Sequence, residues 1–350
     1  MIDLDEWITE LDEEPDQELA DYEAYQKQLF EDYVLRKNDN QEKRKELLKR
    51  YRTGAPLTGE KGLRKELAAF DLGYFGRAYL PHYFVRKSPK FHEELDDIWE
   101  HSVMKSLNPL KSAKEISGEK GSRNVIAAPR GHAKSTNLTF KDDLHATLYV
   151  YKHYILILSD SSDQAEGFLD EIKTELEENA AIIEDFGQLK SDKAWRSNVI
   201  VTKNNVKIEA IGSGKKVRGR KHKNWRPDLI VLDDPISAFD EKKKFGIIRR
   251  LFDNKKDSFK EKTVLMLTHD FQPIIDYVHG NFFTRYGLIT PVHASFIQNI
   301  EGSICESPIT MNDLKNTVEL TKDIVMSSNA SMAVKIVNLR KYVELTKPEF

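Results

Sequence analysis

The residues whose types most clearly suggest ligand binding or catalysis lie in APRGHAKST, residues 128–136. This stretch lies between a short apolar run and a segment with helical spacing. A turn from a buried strand into a helix exposes backbone N–H groups that bind phosphate, while a lysine contacts phosphate oxygens and a hydroxyl holds Mg²⁺. Lys134 and Ser135 match the end of the phosphate-loop pattern G-x-x-x-x-G-K-[ST]. Alanine occupies both glycine positions, Ala128 and Ala133, so the pattern alone fits either a phosphate site or an ordinary polar turn.

A second signal lies about 100 residues further along, where the apolar run LIVLDD ends in Asp233 and Asp234. In a phosphate-loop enzyme, the first such aspartate contributes to the Mg²⁺ shell and the second orients the attacking water. Aspartate pairs at strand ends also occur in purely structural roles. A lysine loop followed at this spacing by an acidic strand end favours an ATP-hydrolysing site that uses ATP and Mg²⁺.

Apolar runs of strand length alternate with amphipathic segments through the middle of the chain. This alternation predicts an α/β class with a mostly parallel sheet, a P-loop NTPase fold preceded by a helical N-terminal region. The predicted strands cover residues 123–129, 153–159, 199–202, 206–211, 227–235 and 263–268, with a short one near 288–296. The predicted helices cover residues 162–179, 240–253 and 271–279, with two more at the C-terminus.

The chain divides into four regions by composition. Residues 1–60 are predicted to form a charged helical segment, because eleven carboxylates and no lysine or arginine occupy its start and a basic run follows. Such a segment is either a solvated helix or an arm that docks a partner. Residues 61–109 are predicted to form a helical lead-in rich in aromatic side chains, residues 110–300 the P-loop ATPase domain, and residues 301–350 a helical C-terminal extension.

Residues 66–234 resemble the ATPase domain of the large terminase subunit of tailed bacteriophages. The resemblance is carried by FGRAYLPHYFVRKSPKFHEEL, IAAPRGHAKST, YILILSDSSDQAEGFLDEIKTEL and IGSGKKVRGRKHKNWRPDLIVLDD, and a glycine-poor phosphate loop is typical of that family. It implies an ATP-driven motor that packages double-stranded DNA into a procapsid, as a homo-oligomeric ring on the portal protein with a small terminase subunit as partner. It also implies that the protein is located in the cytoplasm of the bacterial host and associates with the procapsid during packaging.

Carried onto this sequence, the resemblance assigns catalytic roles to Arg130 and Asp234. An arginine beside the γ-phosphate stabilises charge that grows during phosphoryl transfer, and Ser135 with Asp233 would hold Mg²⁺. The residues expected to bind the nucleotide are Pro129, Arg130, Gly131, His132, Ala133, Lys134, Ser135 and Thr136.

After Asp234 the sequence resembles the C-terminal half of ABC-type ATPases of DNA repair and chromosome maintenance. SAFD at residues 237–240 resembles a D-loop, and His269 follows the apolar run TVLMLT in the position of a catalytic histidine that senses the γ-phosphate. A histidine at a strand end is alternatively structural. No LSGGQ-like signature precedes Asp233. The 116 residues after Asp234 contain no acidic cluster typical of the terminase nuclease domain, so nuclease activity is not expected from this chain.

A loop between residues 212 and 226 carries seven basic residues and no acidic one. Such a loop contacts DNA phosphates, contacts the nucleotide of a neighbouring subunit, or is simply solvated. The candidate DNA-binding residues in it are Lys215, Lys216, Arg218, Arg220, Lys221 and Lys223.

Two other groups of residues are assigned structural roles. Asp142, Asp143 and His145 have the residue types of metal ligands, but they follow the phosphate loop on a predicted helix and are interpreted as surface residues. The aromatic residues between Tyr74 and Phe91 fit core packing, with a platform that stacks adenine as the alternative.

Composition limits the classes of protein that fit this chain of 350 residues. With 39% hydrophobic and 32% charged residues, it matches neither a membrane protein nor a wholly disordered chain. The single cysteine, Cys305, excludes a disulfide framework and fits a reducing cytoplasm. The acidic N-terminus is unlike a secretory signal, so neither secretion nor a membrane partner is expected.

The favoured function is therefore the ATPase motor portion of a phage large terminase. One alternative is an ABC-type ATPase that acts on DNA in repair or defence. The other is a hybrid of the two families that binds nucleotide without motor activity.

Overall fold

The computed structural model describes residues 15–104, 122–128, 130–213, 215, 219–235, 244, 247, 262–270, 272, 295–300, 303–308 and 317–346. The chain divides into two compact units. The sheet unit comprises Phe30–Asp240 and Arg250–Asp270, and the terminal unit comprises Met1–Leu29, Glu241–Arg249 and Phe271–Phe350.

A mostly parallel sheet forms the centre of the sheet unit. The strands of this sheet within the described residues are β1 (Arg123–Ala127), β2 (Tyr154–Ser159), β3 (Val199–Val201), β4 (Lys207–Gly212), β5 (Leu229–Asp233) and β6 (Thr263–Thr268). They lie in the order β1-β6-β5-β2-β4-β3, and only β3 runs antiparallel to its neighbour. The predicted α/β class with a mostly parallel sheet is confirmed, and the fold is compatible with a P-loop-like domain.

The central strands are apolar on both faces. All residues of β5 and β6 are buried, as is nearly all of β2. A continuous apolar run is what a parallel strand covered on both sides requires, which is why these strands could be located from the sequence. Because β6 lies between β1 and β5, the residues that follow these three strands meet at one edge of the sheet.

Helices occupy most of the remaining described chain. They are α1 (Pro15–Arg52), α2 (Leu63–Ala68), α3 (Leu72–Tyr79), α4 (Lys90–Trp99) with a π-helical turn (Glu100–Met104), a π-helical segment (Thr136–Asp142) that continues into α5 (Asp143–Leu148), α6 (Ser162–Glu178), α7 (Ala180–Phe186), α8 (Thr317–Met326) and α9 (Met332–Thr346). Within the described part of the chain, none of them is both long enough and apolar enough to cross a lipid bilayer.

The aromatic lead-in packs into the core of the sheet unit. Phe75, Tyr79 and Trp99 have no solvent exposure, and they join one hydrophobic cluster with Ile155 of β2 and Leu169 of α6. The interpretation of the aromatic residues between Tyr74 and Phe91 as core is therefore confirmed for Phe75 and Tyr79.

The terminal unit contains a hairpin of β7 (Ser295–Ile300) and β8 (Ser303–Pro308) together with α8 and α9. The two predicted C-terminal helices are thus present, whereas β8 stands where a helical extension was expected. Antiparallel pairing with β7, the strand just before it in the chain, supplies the backbone partners of β8. The predicted helices at 240–253 and 271–279 lie outside the described residues except for Lys244, Ile247 and Gln272.

One buried carboxylate joins the lead-in to the sheet unit's helical layer. Asp185 on α7 accepts hydrogen bonds from Arg64 Nε at 2.7 Å, Tyr79 Oη at 2.5 Å and Gly59 N at 2.6 Å. Burial alone would raise the pKa of this carboxyl, but the bonds from Arg64 and Tyr79 outweigh it and hold the pKa below its ordinary value.

We expect Asp185→Asn to lower the free energy of unfolding by about 3 kcal/mol at pH 7, because it leaves the Arg64 guanidinium without its buried counter-charge. Because the pKa of Asp185 is lower in the folded state than in the unfolded state, its carboxylate stabilises the fold fully above about pH 4. This stabilisation is lost as the pH falls through the folded-state pKa. Denaturant titrations at pH 7 and pH 3 measure both effects, and the deficit of the variant should shrink at the lower pH.

Glu184→Gln is the matched control, because this exposed carboxylate accepts a hydrogen bond from the same guanidinium at 2.8 Å. Its removal should change stability little. Equal losses for the two variants, or a deficit of Asp185→Asn that is the same at both pH values, would contradict this assignment.

Candidate functional site

The loop after β1 contains two residues in the left-handed backbone region. Gly131 has a φ of 82° and Ala133 a φ of 54°. Ala133 stands at the second glycine position of the phosphate-loop pattern, so an L residue makes the turn that glycine normally makes, at roughly 1–2 kcal/mol. Ala128, at the first glycine position, is buried and its φ is not positive. Pro129 lies outside the described residues.

Lys134 begins the helical structure that follows the loop. Its side chain lies over the loop, where Nζ donates a hydrogen bond to the carbonyl oxygen of Ala128 at 2.9 Å, and the residue is only 6% exposed. A charge-assisted bond to a phosphate oxygen is stronger than one to a neutral carbonyl. The ammonium group is therefore positioned to exchange its partner for an incoming phosphate.

A pocket of about 510 Å³ opens beside this loop. A volume of this size is typical of sites for small molecules and cofactors, and α/β sheets bind ligands at the carboxyl ends of their strands. Gln164, near the start of α6, was not identified from the sequence because it belongs to no motif. The residues that line the pocket are Arg130, Gly131, His132, Ala133, Lys134, Ser135, Thr136, Gln164 and Asp234.

The buried carboxylate of Asp233 connects the loop to β5. Ser135 Oγ donates to Asp233 Oδ1 at 3.0 Å, and Thr139 Oγ1 donates to Oδ2 at 2.5 Å. Asp233 is 1% exposed. Burial raises its pKa, and the bonds from Thr139 and Ser135 act in the opposite direction.

Thr139 is a member of this group that sequence analysis missed. It belongs to no motif, but it follows Ser135 by four residues, a spacing that places two side chains on one helical face. Thr139 lies in the π-helical segment, which is fully buried from Asn137 to Asp142, and Ser135 is the residue just before that segment. Local π-helix is frequent at functional sites.

Three predicted catalytic residues from three different strand ends meet at the same edge of the sheet. Arg130 Nη2 lies 3.2 Å from His269 Nε2, and His269 Nδ1 lies 3.0 Å from Asp234 Oδ1. The backbone N–H of His269 also donates to Asp234 Oδ1, at 3.1 Å. Because a guanidinium only donates, Nε2 accepts from Arg130 and Nδ1 carries the proton that is donated to Asp234.

The donor set at this edge fits Mg²⁺ in the presence of phosphate. Mg²⁺ prefers oxygen ligands and is usually held by one or two carboxylates together with substrate phosphates and water; the Ser135 hydroxyl and the Asp233 carboxylate are such ligands. Within the described ranges, no cluster of three or more His, Cys, Asp or Glu residues is arranged to hold a metal by itself. A Mg²⁺ ion at this edge would take the rest of its coordination from ligand phosphates and water.

The helical lead-in contacts the phosphate loop directly. His92 Nε2 donates to the carbonyl oxygen of His132 at 3.0 Å, and the rings of Phe91 and His132 meet edge to face at 6.2 Å. The sequence placed Phe91 with the core aromatics. Phe91 does pack against the hydrophobic core, and the start of α4 also braces the loop.

The basic loop does not act as one cluster. Arg220 pairs with the buried Glu209 of β4, so its charge is compensated within the fold. Lys223 Nζ donates to Asn205 Oδ1 at 2.8 Å. Lys215 and Lys221 are exposed, whereas Lys216 and Arg218 lie outside the described residues.

The interpretation of Asp142, Asp143 and His145 as surface residues is wrong, because all three are fully buried. Burial raises the pKa of both carboxyl groups and lowers the pKa of His145 to about 3. His145 Nε2 donates to the carbonyl oxygen of Ala68 at 3.0 Å. The lead-in thus covers the face of α5 that the polar sequence pattern had assigned to solvent.

A neighbouring ion pair completes this buried polar group. The ammonium of Lys141, itself only 2% exposed, lies 2.5 Å from Asp96 Oδ1 of α4 and 3.2 Å from Asp142 Oδ1. Buried charges require such pairing. The carboxylate on α4 lies 45 residues away in the chain, so its contact with the π-helical segment is a tertiary feature.

Ala133→Gly should raise the free energy of unfolding by about 0.5 kcal/mol, because relief of the left-handed strain exceeds the entropic disadvantage of glycine. Ala128→Gly should lower it by about 1 kcal/mol, since this buried position has no positive φ to relieve. Thermal and denaturant unfolding of both variants tests the difference. A loss of stability in Ala133→Gly as large as that in Ala128→Gly would contradict the left-handed turn.

No protein-family model matches the chain, and no curated protein is significantly similar to it. The resemblance to terminase and ABC-type ATPases therefore depends on the motifs quoted above. The meeting of Ser135, Thr139 and Asp233, and of Arg130, His269 and Asp234, is independent of that resemblance.

Proposed function

We propose that this protein binds ATP with Mg²⁺ and hydrolyses it. The observation that carries the proposal is the 3.0 Å hydrogen bond between Ser135 Oγ and Asp233 Oδ1, beside a pocket lined by Lys134. It unites a lysine loop and an acidic strand end that lie far apart in the sequence. These are the parts that phosphoryl transfer requires, since its catalysis is mostly positioning and electrostatic stabilisation.

The loop residues would bind the triphosphate. Backbone N–H groups at the start of a helix attract anions, and Lys134 would move from the Ala128 carbonyl to the phosphate oxygens. Mg²⁺, held by Ser135 and Asp233 together with the phosphates, would neutralise negative charge during transfer. The hydrogen bond from Thr139 keeps the Asp233 carboxylate oriented toward the loop.

The second group of residues would act on the attacking water and the γ-phosphate. Within the described residues, Asp234 accepts two hydrogen bonds on Oδ1, so Oδ2 can accept a hydrogen bond from water. Arg130 is exposed at the pocket and would stabilise the charge that develops on the γ-phosphate. Arg130 also contacts His269, which in turn bonds to Asp234. Phosphate binding by the arginine would therefore change the hydrogen bonding of Asp234 through the histidine.

The biological role that we propose is that of the motor portion of a phage large terminase. Such a role couples hydrolysis to the packaging of double-stranded DNA, with a homo-oligomeric ring, a portal protein and a small terminase subunit as partners, in the host cytoplasm and at the procapsid. It is supported by the terminase-like motifs between residues 66 and 234 and by a glycine-poor loop that nevertheless makes the left-handed turn at Ala133.

The position of His269 favours a second candidate, an ABC-type ATPase that acts on DNA. The histidine follows β6, which lies between the strands that precede Arg130 and Asp234, and there it can respond to the γ-phosphate. The SAFD segment lies outside the described residues. Ring assembly on a portal would favour the terminase, and ATP-dependent dimerisation the ABC-type enzyme.

Lys134→Ala should lower the turnover of ATP at least 100-fold, because it removes the cation that contacts the transferring phosphate. The measurement is phosphate release with Mg²⁺, in the presence and absence of double-stranded DNA. Lys173→Ala, which removes a lysine on α6 that pairs with Asp170 and does not line the pocket, is the control and should retain full turnover. Undiminished hydrolysis by Lys134→Ala would refute the site, and weak nucleotide binding without turnover in the wild type would support the non-motor hybrid.

Thr139→Val should raise the Mg²⁺ concentration needed for half-maximal turnover and lower stability by about 1–2 kcal/mol, since one buried carboxylate oxygen loses its hydrogen bond. Thr139→Ser retains the hydroxyl and should restore the Mg²⁺ dependence. Titration of turnover with Mg²⁺ at saturating ATP compares the three proteins. The assignment of Thr139 as a positioning residue fails if valine changes stability and leaves the Mg²⁺ dependence unchanged.

A further inference from the structure

Positive charge is concentrated in one segment of this chain. Residues 190–226 contain twelve lysines and arginines and two acidic residues, a net charge of +10 in a protein whose overall net charge is −3. The rest of the chain therefore carries −13. A concentration of this kind on a folded surface attracts polyanions.

The fold brings two of these lysines to a single acceptor. Lys193 Nζ lies 3.0 Å and Lys223 Nζ 2.8 Å from the same atom, Oδ1 of Asn205. Both lysines are exposed, and neither ammonium has an ion-pair partner among the described residues. Two like charges that share one neutral oxygen repel each other, and an anion placed between them would relieve that repulsion.

The backbone around this point is constrained to hold the two lysines. Asn205 has a φ of 65° and Lys223 a φ of 50°, in the left-handed region that asparagine tolerates and lysine rarely adopts. Lys223 lies in a tight turn closed by reciprocal backbone hydrogen bonds between His222 and Trp225, both 2.8 Å. The Trp225 ring stacks on His153 at 3.8 Å. Strained, well-braced backbone of this kind is found at binding sites.

The neighbouring His222 lies close to the same positive charges. His222 Nε2 donates to the backbone carbonyl of Asn205 at 3.0 Å. Burial lowers the pKa of His222, the hydrogen bond to Asn205 opposes this, and the ammonium groups of Lys207, Lys223 and Lys193 lower the pKa further. Lys203, on the same turn as Asn205, adds another exposed ammonium.

We propose that Lys193 and Lys223, on either side of Asn205, form a binding site for a backbone phosphate of double-stranded DNA. The turn that contains Asn205 precedes β4, so the site lies at the amino end of that strand, whereas the nucleotide pocket lies at the carboxyl ends of the parallel strands. The identity of the ligand rests on the proposed DNA-dependent function. The site includes Lys223 of the predicted basic loop and adds Lys193, which lies outside that loop.

The test is the salt dependence of DNA binding, measured by fluorescence anisotropy of a labelled duplex with the full-length protein. Each lysine–phosphate contact contributes about 0.9 to the slope of log K against log salt concentration. The double variant Lys193→Gln/Lys223→Gln should therefore reduce the slope by about 2. Lys193→Arg/Lys223→Arg keeps both charges and should keep the slope, which separates loss of contact from loss of fold.

Lys61→Gln/Lys87→Gln removes two exposed lysines elsewhere in the sheet unit and should leave the slope unchanged. An unaltered slope in Lys193→Gln/Lys223→Gln, or an equal reduction in both glutamine variants, would overturn the site while leaving ATP hydrolysis at Lys134 untouched. Absence of duplex binding by the wild type would overturn this site and the DNA-dependent role together, and phosphate release would then report on the ATPase alone.

Discussion

The candidate site depends on one buried carboxylate. Asp233 ends β5 with almost no solvent exposure, and a charge in such a place is tolerated only when hydrogen bonds satisfy it. Ser135 and Thr139 supply those bonds from the segment that follows the phosphate loop. The same contacts that stabilise the carboxylate therefore fix the loop against the sheet, so that stability and site geometry are not separable here.

Strand order determines which residues can meet at that edge. Since β6 lies between β1 and β5, whatever follows β6 is placed between the phosphate loop and the acidic strand end. His269 occupies this place and bonds to Arg130 on one side and to Asp234 on the other. An imidazole suits the position because it accepts with one nitrogen and donates with the other.

The two proposed binding sites of the sheet unit lie at opposite ends of its strands. Phosphate-loop and acidic residues lie at the carboxyl ends, whereas Lys193 and Lys223 converge beside the turn that leads into β4. Parallel strands make this separation natural, because each connection returns the chain to the amino edge before the next strand begins. The two proposed sites, one for a nucleotide and one for a polyanion, therefore share no residue.

The sequence by itself determined the local features: the apolar runs that form β2, β5 and β6, the helix from Ser162, the lysine loop and the acidic strand end. These follow from hydrophobic pattern and backbone preference, which act over a few residues. Tertiary structure alone decided that Asp143 and His145 are buried, because the lead-in that covers them is far away in the chain. It also decided that Lys193 and Lys223 share one acceptor, since a charge pattern says nothing about where two distant loops meet in space.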